Sequence, residues 1–369
     1  MKQNRRNFLR QAALGAAGLG LASSLSSFAR AAAPDNRDPN NPSATNPSPN
    51  SASNPNPNSA PAPNPNSAPS TAPPPLFFKL AVSQFSFASQ FWTQQLNPLD
   101  FPAKSKELGI PGLDYCSMFF ADKAKDQAFL SQLKQRSADA GCYNLRIMVD
   151  GEGVLGDLNS AARTKAIENH YKWLDAAATL GCPMIRVNVE GEGKPEDVAT
   201  AAVDSLGRLI EYGRKQNIDV IVENHVGISC NAAWLAGVMK QLNSPHCGTL
   251  ADFGNFCVNR TKPETMDIAG YMKTKCLEEY DRYKGITELM PFAKGVHAKT
   301  HLFNADGTDT ETDFIRMFRI IKESGFTGWV SIEYEGGLFK MYTKDSKYLD
   351  DYTGTLATKK LVEASGAKA

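Results

Sequence analysis

The sequence predicts an α/β chain folded as a single (β/α)8 TIM barrel, and two observations carry that prediction. From residue 76 onward, eight short apolar runs alternate with helical patterns, over the roughly 250 residues plus one insertion that suit such a barrel. The fifth run, from Asp219 to Glu223, holds three consecutive β-branched residues, as expected of a strand buried on both faces of a parallel sheet. A doubly wound open sheet would need a Gly-rich phosphate loop after its first strand, and Ser86 to Phe91 offers none.

Taken in order, Leu80 to Phe87 reads as the first strand. Pro98 opens a helix that Gly109 stops. Gly112 to Cys116 is a short second strand, and Tyr143 to Val149 is the third, after a helix through Leu130 and Leu133. A long helix from Ala161 to Leu180 ends at Gly181, and Pro183 to Glu190 forms strand four. Another helix at 195–215 leads to strand five. Residues 231–242 are helical, Gly248 to Asp252 is strand six, and 258–290 reads as a charged, irregular insertion. Gly295 to His301 is strand seven and Trp329 to Glu335 strand eight, with a helix at about 310–324 between them and a last helix within 344–366.

The first 75 residues differ in kind. Arg5-Arg6 precedes a weakly apolar Gly/Ala-rich run and small residues up to Ala33, the pattern of a twin-arginine export signal over 1–33. That run is too short and Gly-rich for a stable membrane span. Residues 34–75 are almost wholly Pro, Asn, Ser and Ala, which cannot bury enough apolar surface to offset ordering entropy. They are expected to form a disordered tether to a domain at 76–369. The expected location is therefore periplasmic or otherwise extracytoplasmic, with the twin-arginine export machinery as a transient partner.

The domain holds 34 basic and 37 acidic residues, a slight acidity that argues against a nucleic-acid partner. Its seven cysteines, an odd number with no C-x-x-C spacing, do not suggest a disulfide framework. They suit a protein that folds in a reducing compartment before export. The sequence leaves the oligomeric state open.

In a barrel, reacting groups gather at the C-terminal ends of the strands. Strand four ends in Arg186, Asn188 and Glu190, three residues of one parity and so of one face. Strand five supplies Glu223 and His225, and strand six Asp252. Strand seven supplies His297, Lys299 and His301, and strand eight Glu333 and Glu335. Carboxylates converging in one mouth repel unless a cation neutralises them. Three carboxylates and one imidazole suit one divalent ion, Mn²⁺ first, with Mg²⁺, Co²⁺ or Zn²⁺ as alternatives.

The motifs V-I-V-E-N-H, L-A-D-F-G-N, G-V-H-A-K and S-I-E-Y-E-G, in that order, resemble the xylose isomerase-like barrels of the sugar phosphate isomerase/epimerase group. The resemblance spans about residues 78–340. It implies Glu223, Asp252, His297 and Glu333 as metal ligands, Glu223 and Glu333 as acid and base on opposite faces of the substrate, and Glu190 as a contact to sugar hydroxyls. Asn255 stands where several such epimerases carry a substrate-binding His, so their substrate orientation does not transfer. His225 shares the inward parity as a substrate or supporting contact. Lys299 either stabilises oxyanion charge or pairs with Glu335.

The expected activity is a metal-dependent sugar isomerisation or epimerisation, by proton abstraction beside a metal-bound carbonyl through a cis-enediolate. The alternative is an exported lyase or hydrolase of 3-keto-glycosides using the same site. A non-catalytic sugar-binding barrel is a third reading, and a zinc-cluster endonuclease would need more His than the five present.

Overall fold

The computed structural model describes residues 75–265 and 268–369. The expected export leader and all but the last residue of the tether lie outside them. Ten strands follow in chain order: β1 (Lys79–Ser83), β2 (Gly112–Cys116), β3 (Tyr143–Met148), β4 (Met184–Val187), β5 (Asp219–Glu223), β6 (Cys247–Asp252), β7 (Cys257–Arg260), β8 (Cys276–Glu279), β9 (Ala293–Thr300) and β10 (Trp329–Tyr334). Eight of these close into a parallel barrel in the order β1-β10-β9-β6-β5-β4-β3-β2, and β7 and β8 pair antiparallel as a separate hairpin. The predicted barrel is thus the observed one.

Capping explains why the chain leaves each helix where it does. Asn159, whose side chain accepts from Ala161 and Ala162, starts the helix Ser160–Leu180, and Gly181 ends it at φ 85°. Asn231 and Asp313 cap the helices Ala232–Leu242 and Phe314–Glu323 in the same way. Among the described residues, no helix is long and apolar enough to cross a membrane.

Strand parity sorts the core into two sets. Val220 and Val222 of β5 join the large cluster between barrel and helices, whereas Ile221 packs inside the barrel with Cys116, Met148 and Leu250. Glu223, two residues beyond Ile221, therefore faces the barrel axis.

The segment at 258–290 departs from expectation. It is not irregular, for it holds most of the β7–β8 hairpin and the helix Arg282–Leu289. A disulfide joins Cys257 to Cys276 across that hairpin, so Cys257 is not the free thiol that the cysteine pattern suggested. The pairing depends on hairpin register, which places Arg260 opposite Cys276 and Cys257 opposite Glu279, and no local spacing announces it. The remaining five cysteines are free.

Closing a loop of 19 residues removes about 3 kcal/mol of unfolded-state disorder, and here that gain is local to the hairpin. Reduction is therefore expected to speed tryptic cleavage at the exposed Lys273 and Lys275 several-fold, with little change in the melting temperature of the barrel. Cleavage that is insensitive to reductant would refute this.

Candidate metal centre and active site

The barrel register sets the four predicted ligands side by side. Asp252 is aligned with His297 and Glu333 with Lys299, while Glu223 ends β5. Glu223, Asp252, His297 and Glu333 are all buried, and one ligand atom from each lies within 4.8 Å of the others. His297 Nδ1 is 3.2 Å from Glu223 Oε1, 3.3 Å from Glu333 Oε2 and 3.8 Å from Asp252 Oδ2. Glu223 Oε1, Asp252 Oδ2 and His297 Nδ1 make no well-aligned hydrogen bond among the described residues. Buried polar atoms left in that state are costly, and a shared cation resolves all of them at once. The donor set and its geometry fit a divalent ion.

Each ligand is held through an atom that it does not offer to the ion. Asp252 Oδ1 accepts from the backbone N–H groups of Gly254 (2.7 Å) and Asn255 (3.0 Å), which leaves Oδ2 pointing inward. Glu333 Oε1 accepts from Ser83 Oγ at 2.9 Å. Glu223 Oε2 pairs with Arg186 Nε at 2.9 Å. Asn224 clips the β5 end to β6, accepting from Asp252 N–H (2.8 Å) and donating to the Asp252 and Asn255 carbonyls. This outer set orients the ligands and tunes them.

The His297 support was not foreseen. Its Nε2 faces Asp114 Oδ2 at 3.2 Å. An ionised carboxylate can only accept, so Nε2 carries a proton, and Nδ1 is the nitrogen at which a metal would take the place of the second proton that Glu333 and Glu223 favour there despite burial. Asp114 in turn pairs with Arg146 Nε at 2.7 Å and accepts from Ser331 Oγ at 2.5 Å. Burial pushes the Asp114 carboxyl up, but Arg146 and His297 outweigh it and hold it below its ordinary value. Gly295 makes room for this pair: a Cβ there would lie 2.0 Å from Arg146 Nη1. Charged residues inside two adjacent apolar strands, Asp114 in β2 and Arg146 in β3, were the available signal.

Electrostatics splits the ligands. Burial raises Glu223, yet Arg186 and His297 pull it down to about 2. Burial also raises Glu333, and Lys299 and His297 hold it well below the usual carboxylate range. Asp252 goes the other way: burial lifts it to about 7 despite Lys299, with Glu223 and Glu333 adding repulsion.

Above the ligands lies a cavity of about 210 Å³ that Phe85, Met118, Arg186, Lys299 and Glu335 help to line. The pairing considered for Lys299 is present. Its ammonium pairs with Glu335 (2.7 Å) and Glu333 (3.1 Å), and it still borders the cavity. His225 and Asn255 line the cavity too. Glu190 instead lines an adjoining cleft. His301 bonds Glu335 at 3.2 Å, and His170 is buried against its own helix, bonded to the Ala166 carbonyl. Phe87 is wholly buried core, and Phe85 brings an aromatic ring to the cavity wall.

Burial, with help from Asp150, lifts the Glu190 carboxyl to about 7. The folded state then holds a proton that the unfolded chain loses near the ordinary value of about 4.3. Stability from this residue is intact below that value and falls as pH rises toward 7. Glu190→Gln is expected to gain about 1–3 kcal/mol over the parent at pH 8 and nothing at pH 4, by urea unfolding. Equal effects at both pH values would contradict the assignment.

The family model for xylose isomerase-like TIM barrels matches residues 102–352. The chain belongs to that family. No curated protein matches it in sequence. Among solved structures, this xylose isomerase-like barrel resembles a sugar phosphate isomerase/epimerase from Parabacteroides distasonis at 17% identity and TM-score 0.54, over 80% of this chain and 96% of the other. It resembles a 3-keto-D-glucoside 4-epimerase from E. coli at 14% and 0.55, over 78% and 99%. The IOLI protein with a zinc atom matches at 14% and 0.56, over 79% and 99%. At such identities these likenesses show the shared fold.

Proposed function

We propose that this barrel is a metal-dependent sugar isomerase or epimerase acting by proton transfer beside a carbonyl. The observation that carries the reading is that Glu223 and Glu333, two separately anchored carboxylates that line one small cavity, converge with the buried Asp252 and His297. The family and its sugar-converting neighbours support it. A divalent ion held by these four residues, Mn²⁺ being the best match to three carboxylates and an imidazole, would supply Lewis acidity that acidifies the C–H next to a sugar carbonyl.

The chain's own groups do the rest. Glu223 and Glu333 stay ionised at neutral pH because cationic neighbours hold them low, so one can accept the carbon-bound proton. The Lys299 ammonium opposes negative charge on the developing enediolate. Phe85, Met118 and Leu338 bring apolar surface to the cavity wall, which strengthens every charge interaction inside. Return of a proton to the same carbon from the opposite face gives an epimer, and return to the neighbouring carbon gives an isomer. The substrate is a small carbohydrate.

Export by the twin-arginine route belongs to the same proposal. Its basis is the leader sequence, and the Cys257–Cys276 disulfide supports it, since such bonds persist in oxidising compartments. For the activity, the metal-loaded protein is incubated with a panel of ketoses in deuterated water. Deuterium at the carbon beside the carbonyl is the expected result, and no exchange across the panel would sink the reading.

A further inference from the structure

The metal-side cavity is not closed. A second cleft of about 770 Å³ adjoins it, and His225, Val226, Asn255, Arg260 and Tyr271 line both. The smaller space lies below the usual range of ligand sites, and the larger falls well inside it. Their junction carries two buried donors or acceptors, His225 Nδ1 and Asn255 Nδ2, that have no hydrogen-bond partner among the described residues. Polar atoms so placed are ordinarily satisfied, and both residues border the junction that a ligand running from one space into the other would cross.

The far cleft is strongly polar and open enough for a sugar ring, lined by Asp157, Glu190 and Glu192 on the acidic side and Arg260 and Lys262 on the basic side. Glu190 and Asn259 offer hydrogen-bonding groups, Leu158 an apolar face, and the Tyr271 ring stands at the junction with the Arg260 guanidinium 5.2 Å from its centroid. Mixed aromatic and hydrogen-bonding walls of this sort suit sugar rings, which pair apolar faces with hydroxyl rims. The placement of Glu190 in this cleft points the same way: a residue there can touch only a substrate longer than the metal-side cavity.

We propose that the cleft between the β7–β8 hairpin and the loops after β4 and β5 is a subsite for a second sugar ring. The substrate class is then a disaccharide or glycoside that carries a ketone in its reacting ring, with that ring over Glu223 and Glu333 and its second ring against Tyr271, Asn259 and Glu190. This rests on the sugar reading above and adds the size of the substrate to it.

The test is calorimetric titration of the Mn²⁺-loaded full chain with methyl glucoside and with maltose, cellobiose, lactose and trehalose, each also as its 3-keto form. At least one two-ring ligand is expected to bind about tenfold or more tightly than the methyl glycoside of its reacting ring. Leu158→Trp, which narrows the far cleft alone, is expected to bring that ratio close to one. Binding of one-ring sugars with no two-ring advantage overturns the subsite and leaves the sugar reading standing. A two-ring advantage that survives Leu158→Trp and Asn259→Ala alike also overturns it. Binding of neither class, with no deuterium exchange, overturns both.

Discussion

Glu333→Gln is expected to lower turnover by about 10³-fold or more while leaving the fold intact. The amide keeps the shape of the side chain, and its Oε1 can still accept from Ser83 Oγ. What it loses is the charge beside His297 and Lys299, and with it both an anionic ligand and a proton acceptor. General acid–base groups contribute about 10² to 10⁴ in rate, and a weakened metal site adds to the loss. The measurement is deuterium exchange and product formation at saturating Mn²⁺, beside the metal affinity itself. If turnover survived within about tenfold, Glu333 would not be a proton carrier.

The second large effect is on stability. Arg146→Met removes a guanidinium that is 1% exposed and paired with the fully buried Asp114. Stranding one member of a buried ion pair costs about 3–5 kcal/mol, so the urea midpoint should fall sharply with an unchanged slope. The damage also reaches the site, because Asp114 orients His297. Loss of such a support lowers metal affinity by about 10- to 100-fold. Adding Asp114→Asn to Arg146→Met should recover part of the stability, since the stranded charge is then gone, but none of the metal affinity. A double variant no more stable than Arg146→Met would show that the pair is not what stabilises the barrel floor.

Much of the barrel was legible because its strands are apolar on both faces and its helices carry side-chain caps and glycine stops. The four ligands were legible for a related reason. A carboxylate or imidazole that closes a wholly apolar strand stands out, and two-residue parity says which of its neighbours share its direction. Asp114 and Arg146 fell outside that logic, since they lie within strands and satisfy one another rather than the ligand. Only the rule that opposite charges in adjacent buried strands must meet would have paired them. The Cys257–Cys276 bond depends on a hairpin whose exposed strands carry weak hydrophobic pattern. Glu190 lines the adjoining cleft, and strand parity says nothing about how the C-terminal mouth divides into two spaces.

The β7–β8 hairpin lies outside the barrel closure, inserted between the strands that carry Asp252 and His297. It contributes Arg260 and flanks Tyr271, yet none of the four ligands sits on it. Under the proposed reading, part of the choice of substrate is carried on a piece of chain separate from the four ligand residues. A descendant could exchange the hairpin for another of different length or wall, and so acquire a new diet, while the residues that move the proton stayed where they were.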